Sequence, residues 1–157
     1  MKPLIFLTAL FFSNFIFSKL CLANETQLGV ILGSTTGFSA KYDIGADHAI
    51  DGALSYSIDG KYGFSLHSDY LLNKERQFTI GKISPVNLYY GLGFRLLSIR
   101  SGTDNGNSKL GIRAPLGVHY RINRPDLEIF GELAPVLDVT PRTDIYINVG
   151  LGVRFIF

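Results

Sequence analysis

The sequence predicts an all-β fold, an eight-stranded antiparallel up-and-down transmembrane β-barrel that follows a cleaved signal peptide. Three observations lead there. The last stretch, Asp144 to Phe157, alternates with period two to its final residue, which places successive side chains on opposite faces of one strand. Ile145, Ile147, Val149, Leu151, Val153, Phe155 and Phe157 share one face; Tyr146, Asn148, Gly150, Gly152 and Arg154 share the other. The run is longer than an ordinary strand of about five or six residues and long enough for the roughly nine to eleven that cross a bilayer at a tilt. Second, the same alternation recurs along the chain between short turn signals. Third, the N-terminus reads as a secretory leader.

Lys2 supplies the leader's charge, Leu4 to Phe17 its short apolar core, and Ser18 to Ala23 a region ending in small residues before Asn24. That order matches a signal peptide covering residues 1–23, with a barrel domain over 24–157. A membrane-anchoring helix would need a longer core. A lipid anchor on Cys21 would need small residues where Lys19 and Leu20 stand. A cut after Ala23 leaves a mature chain without cysteine, hence without disulfide or thiol chemistry.

The strands follow in order. Leu28 to Gly33 is the first, and Phe38 to Ile44 the second after Ser34–Gly37. Ile50 to Ile58 is the third, closed by the hairpin signal Asp59-Gly60. Phe64 to Leu72 is the fourth. Asn73 to Ser84 is charged and then weakly strand-like, a long turn into which the strands extend. Val86 to Leu96 is the fifth. Arg100 to Lys109 is a polar loop rich in turn formers. Leu110 to Ile122, Leu127 to Leu137 and the final stretch complete eight. An even count joined by short turns can close on itself and abolish the open edges that lipid does not tolerate. Pro115 and Pro135 interrupt this pattern, because proline cannot donate to a ladder. Counting back from the Asn123–Asp126 turn brings them to one level on adjacent strands and predicts a shared bulge or gap.

This plan resembles the small eight-stranded bacterial outer-membrane barrels, such as the OmpA membrane domain. The phrases TTGFSAKY (Thr35 to Tyr42), LHSDYLL (Leu66 to Leu72), YYGLGFR (Tyr89 to Arg95), GIRAPLGVHY (Gly111 to Tyr120) and EIFGELAPVLDVTP (Glu128 to Pro141) are similar to an uncharacterised group of outer-membrane β-barrel domain proteins. The resemblance covers nearly all of the mature chain. It implies the cell outer membrane as location, outer-membrane lipid and the barrel-assembly machinery as partners, and Phe155 and Phe157 as the C-terminal assembly signal. It implies no agreed activity. With the C-terminus in the periplasm, Arg100 to Lys109 faces outward and is the best-supplied surface for an external ligand. Tyr42, Tyr70, Tyr90, Tyr120, Phe155 and Phe157 then fall where an interfacial girdle belongs.

The inward face carries Lys41, Arg95, Arg113, Arg121 and Arg154 against Asp43, Asp51, Asp69, Glu128, Glu132 and Asp138. Buried charges are costly unless paired, and an eight-stranded barrel has room only for its own side chains or one small ligand. Near-balance of sign points to an ion-pair network that plugs the lumen, since a selective pore needs an excess of one sign. Turn pairing sets Arg121 and Arg154 on either side of Glu128 and gives Glu132 to Arg95 and Arg113. Inward glycines, Gly117 and Gly150 among them, make room for the arginines.

Enzymatic readings are weaker. His67 and Asp69 share the inward face, as does His119, and a His–Asp pair can orient a general base. The lipid A deacylases and palmitoyltransferases are the enzymes of this size, but the deacylase-type His-x-Ser is missing and Ser68 points the other way. The sequence therefore predicts no catalytic residues, no metal-ligand set and no cofactor. A formal charge of +2 argues against nucleic acid. A narrow channel and a lipid A-modifying enzyme are the alternatives. A soluble, lipocalin-like carrier would turn the apolar face inward.

Overall fold

The computed structural model describes residues 25–34, 36–56, 62–78, 86–99 and 108–157, with the side chains of 62 and 75–78 left aside. The predicted leader and residues 100–107 of the polar loop lie outside these. Nine strand segments follow one another: β1 (Thr26–Gly33), β2 (Gly37–Asp43), β3 (His48–Tyr56), β4 (Tyr62–Phe78), β5 (Val86–Ile99), β6 (Ser108–Arg113), β7 (Leu116–Asn123), β8 (Asp126–Thr140) and β9 (Asp144–Ile156). Each pairs antiparallel with its chain neighbour, except that β6 and β7 share one place in the wall between β5 and β8. They are two halves of one stave, so the ring has eight. It closes where β1 pairs with β9, from Gln27 opposite Ile156 to Gly33 opposite Gly150. Thr26 and Phe157 exchange backbone hydrogen bonds at 2.9 and 3.4 Å, which brings both chain ends to one rim.

The period-two pattern sets which face looks inward. On β9 the odd-numbered residues from Ile145 to Phe155 are exposed, Leu151 at 67%, while Asn148, Gly150, Gly152 and Arg154 are buried, Arg154 at 2% exposure. On β8, Glu128, Phe130, Glu132, Ala134, Val136 and Asp138 are buried, and Ile129, Leu133 and Leu137 are exposed. Large apolar side chains cover the outside and charged ones fill the inside. A soluble carrier has the opposite arrangement, so that alternative falls on the direction of burial.

The continuous strand predicted from Leu110 to Ile122 is broken at Ala114-Pro115. Registers above and below the break agree: Arg113 faces Val136 and Leu116 faces Leu133. The two prolines therefore produce a gap without a bulge. The Pro115 carbonyl accepts from Gly91 N at 2.9 Å, and the Pro135 carbonyl accepts from Ala114 N at 3.0 Å. In an antiparallel hydrogen-bonded pair each residue both gives and takes. Proline removes the return donor, so Gly91 and Ala114 each lose the donor their carbonyl would have met. The register shift lies elsewhere, between Leu110 and Gly111 against β8. Pro135 faces outward, so Pro135→Val restores one donor without touching the interior. The expected result is a gain of about 1 kcal/mol in unfolding free energy and slower hydrogen exchange at the Ala114 amide. An unchanged or lower stability would show that the gap is held by something other than the missing donor.

Turn chemistry explains the other connections. Gly45, at φ 78°, provides the left-handed step in the β2–β3 turn that a side-chain-bearing residue adopts only at a cost. The β7–β8 turn is tight, with Asn123 opposite Asp126. Strand β4 runs on to Phe78, so the charged start of the long Asn73–Ser84 segment is strand, and residues 79–85 lie outside the described part.

Candidate functional site

The only concentrated chemistry among the described residues is inside the barrel, where the ionic side chains form three tiers. The first lies toward the rim that carries the termini. Glu128 is fully buried, at 0% exposure. Lys41 Nζ donates to its Oε2 at 3.0 Å and Arg154 Nη1 to its Oε1 at 3.2 Å. Arg121 Nε stands 3.5 Å from Oε2. His119 Nδ1 lies 2.7 Å from the same oxygen, an ion-pair contact rather than an aligned hydrogen bond. Arg154 continues to Asp51 Oδ2 at 2.5 Å and donates to Ser39 Oγ from two nitrogens. Its guanidinium carbon sits 3.8 Å from the centre of the Phe130 ring, a cation–π contact. Arg121 reaches outward to Glu25 and Asp43 at 2.6 and 2.8 Å. Gln27 Nε2 donates to Asp43.

The middle tier is Arg113, held by Asp69 through Nε at 2.7 Å and by Glu132 through Nη2. Tyr89 Oη donates to the other Glu132 oxygen at 3.0 Å. The third tier closes the far rim. Arg95 pairs with Asp138 at 2.7 Å, and Lys109 stands between Asp138 and Asp144. Lys109 also donates to Tyr146 Oη, and both cations lie near the Tyr146 ring. At this rim the Lys109 hydrogen bond holds the Asp144 carboxyl below the usual carboxylate range.

Several sequence expectations change here. Arg95 takes Asp138 rather than Glu132, because its strand partner is Gly111, which sits beside Asp138. Lys109 belongs to β6 and points inward; it is not a loop residue. The space over the inward glycines is not used by arginines. A Cβ on Gly117 would meet the Tyr89 ring at 2.3 Å, one on Gly152 the Phe130 ring at 2.3 Å, and one on Gly150 Ile31 at 2.7 Å. Sequence reasoning missed Lys41–Glu128, Arg154–Asp51 and Arg113–Asp69, which run across the lumen between strands that are not neighbours. The diagonal of His119 to Glu128 was available from the turn register and an inward-face count.

The buried charged residues are Lys41, Arg95, Lys109, Arg113 and Arg154 against Asp43, Asp51, Asp69, Glu128, Glu132 and Asp138. The half-exposed Arg121 brings the cations level with the anions. This interior holds charge at fixed positions and leaves no excess of either sign to select an ion. The His67–Asp69 dyad does not form: Asp69 Oδ2 is taken by Arg113, and His67 Nδ1 has no protein partner. The His119–Glu128 contact is saturated by three further cations, so its carboxylate is an anchor and not a base. Ser68 is outward on β4, away from both histidines.

On the outer surface Phe155 and Phe157 are exposed at 55% and 77%, on the apolar face of the last strand. Tyr70 and Tyr90 are likewise exposed, with Tyr42 and Tyr120 half-buried, all on the half of the wall nearer the termini. No protein-family model and no curated protein matches the chain. Among solved structures it is similar to the Yersinia pestis outer membrane protein Ail in a phospholipid bilayer nanodisc. Identity is 18% over 85% of this chain and 98% of that one, with a TM-score of 0.42.

Proposed function

We propose that this chain is an integral outer-membrane β-barrel protein with a plugged, charge-paired lumen and a structural or surface-contact role. The observation that carries this reading is the inversion of a soluble protein's arrangement. A closed ring of strands buries eleven charged side chains and exposes Leu, Ile, Val, Phe and Tyr around its whole circumference. A soluble protein rarely exposes an apolar patch beyond a few hundred Å². A bilayer demands such a surface and demands that backbone polar groups be satisfied within the ring. In this reading the rim with both termini faces the periplasm, and residues 100–107 face outward as the surface for any external partner. Phe155 and Phe157 serve assembly.

The test is membrane fractionation followed by gel mobility with and without heating. The expected protein partitions with outer membranes and migrates faster unheated. A protein recovered soluble from the periplasm would overturn the reading. Planar-bilayer recordings and lipid A acyl analysis address the two alternatives. The neutral, occupied interior predicts no discrete conductance, and the unassembled His67–Asp69 pair predicts unchanged acyl composition.

A further inference from the structure

We infer that the outer wall at the termini-bearing end of β3 and β4 carries a site for the phosphate of a phospholipid headgroup, built from His48, Tyr70 and Lys74. The inference rests on the membrane reading above and adds a ligand class and a place to it.

His48 and Tyr70 are both exposed on the outward face, His48 at the first position of β3. Tyr70 Oη lies 2.8 Å from His48 Nδ1, and the two ring centres are 5.7 Å apart. When Tyr70 donates to Nδ1, the ring proton of His48 resides on Nε2, the nitrogen turned away from the tyrosine. That leaves an N–H donor on an otherwise apolar wall. Lys74 stands two residues past Leu72, and Leu72 is the direct partner of His48. Period two puts Lys74 on the same outward face, and it is exposed. Diagonal neighbours on adjacent strands are about 7–8 Å apart at the backbone. An ammonium on a flexible stem can therefore meet a group already held by Nε2.

The place is as informative as the residues. Outward positions at this end of the other strands are apolar or tyrosine: Tyr42 and Ile44 on and after β2, Tyr90 on β5, Ile122 on β7, Phe155 on β9. Among the described strand residues, the two cationic or ionisable donors on the outer wall stand together here. Tyrosines beside them mark the depth at which amphipathic rings and lysine heads meet lipid headgroups. A phosphate at that depth offers acceptor oxygens to two donors of matching sign, and charge-assisted hydrogen bonds are the strong ones. The carboxylate nearest in the chain, Asp47, belongs to the turn beyond the strand end.

The experiment is native mass spectrometry of the detergent-purified barrel titrated with phosphatidylglycerol, and with diacylglycerol as the phosphate-free lipid of equal acyl length. The proteins are the wild type, His48→Ala/Lys74→Gln, and Tyr70→Phe, which keeps the ring and removes the hydroxyl. Arg124→Gln, a cation in the β7–β8 turn, is the control. Heat-modifiable mobility is read first on each. The wild type is expected to retain one phosphatidylglycerol in preference to diacylglycerol. The double variant is expected to bind it at least about tenfold more weakly, the loss of one charge-assisted bond, with Tyr70→Phe in between and Arg124→Gln unchanged. A folded barrel that binds both lipids alike, or whose double variant retains phosphatidylglycerol as well as the wild type, overturns the site while the membrane reading stands. A protein that is not heat-modifiable and not in membranes overturns that reading, and the site with it.

Discussion

Glu128→Ala is expected to be the most damaging interior charge substitution in this barrel, costing about 3–5 kcal/mol of unfolding free energy. The carboxylate has no exposure and is met by Lys41, Arg154, Arg121 and His119. Its removal strands two fully buried cations. Lys41 keeps only a 3.5 Å contact to Asp43, and Arg154 keeps Asp51. The damage comes from the cations left behind, not from the loss of an attractive pair. Glu132→Ala is expected to cost less, since Arg113 retains Asp69 as a second anchor. Asp126→Ala, exposed in the β7–β8 turn, is expected to stay within about 0.5 kcal/mol of wild type. Urea unfolding of the three variants in one lipid or detergent gives the ranking Glu128, then Glu132, then Asp126. Equal midpoints would mean that water reaches the charged face freely, and that the lumen is not a packed interior.

That ranking needed the structure, and the reason is geometrical. Contacts across a turn follow from sequence, because a hairpin fixes register and period two fixes face. Arg121 and Arg154 beside Glu128 are of this kind. Lys41 to Glu128 is not: β2 and β8 are separated by β1 and β9. Which residues meet across the lumen depends on strand tilt and stagger, properties of the closed ring as a whole. The same blindness misplaced Arg95. Its partner follows from where β6 stands against β8, and a register shift between Leu110 and Gly111 sits on that path. Lys109 was hidden for a different reason. It adjoins a run of loop-forming residues, so polarity outweighed the alternation that begins at Ser108. The eight-stave wall, the direction of burial and the proline break were all legible, because each depends on local periodicity or on a missing N–H.

The second large effect is expected at Gly29, on the seam where the first and last strands meet. Gly29 faces Arg154 in the β1–β9 ladder. A Cβ built on it would lie 1.9 Å from the Val153 carbonyl oxygen and 2.6 Å from the Arg154 Cα. Both are backbone atoms, and neither can rotate away. Gly29→Ala must therefore push β1 off β9 at the closing pair of the ring. Separated ladder groups at that seam face lipid, where unpaired backbone is costly. The displaced residue is also the one whose guanidinium joins Ser39, Asp51, Glu128 and the Phe130 ring. Closure and the first ionic tier thus fail together. The expected loss is at least about 3 kcal/mol, the upper end of what overpacking costs when side chains can yield. On refolding into lipid, less of the chain should reach the heat-modifiable form. Gly131→Ala is the matched control: its nearest neighbour is the Leu151 Cδ2 at 3.1 Å, the tip of a lipid-facing side chain that can turn aside, so its cost should stay below about 1 kcal/mol. If Gly29→Ala refolds and unfolds like Gly131→Ala, the two end strands are not in the close contact that seals the ring.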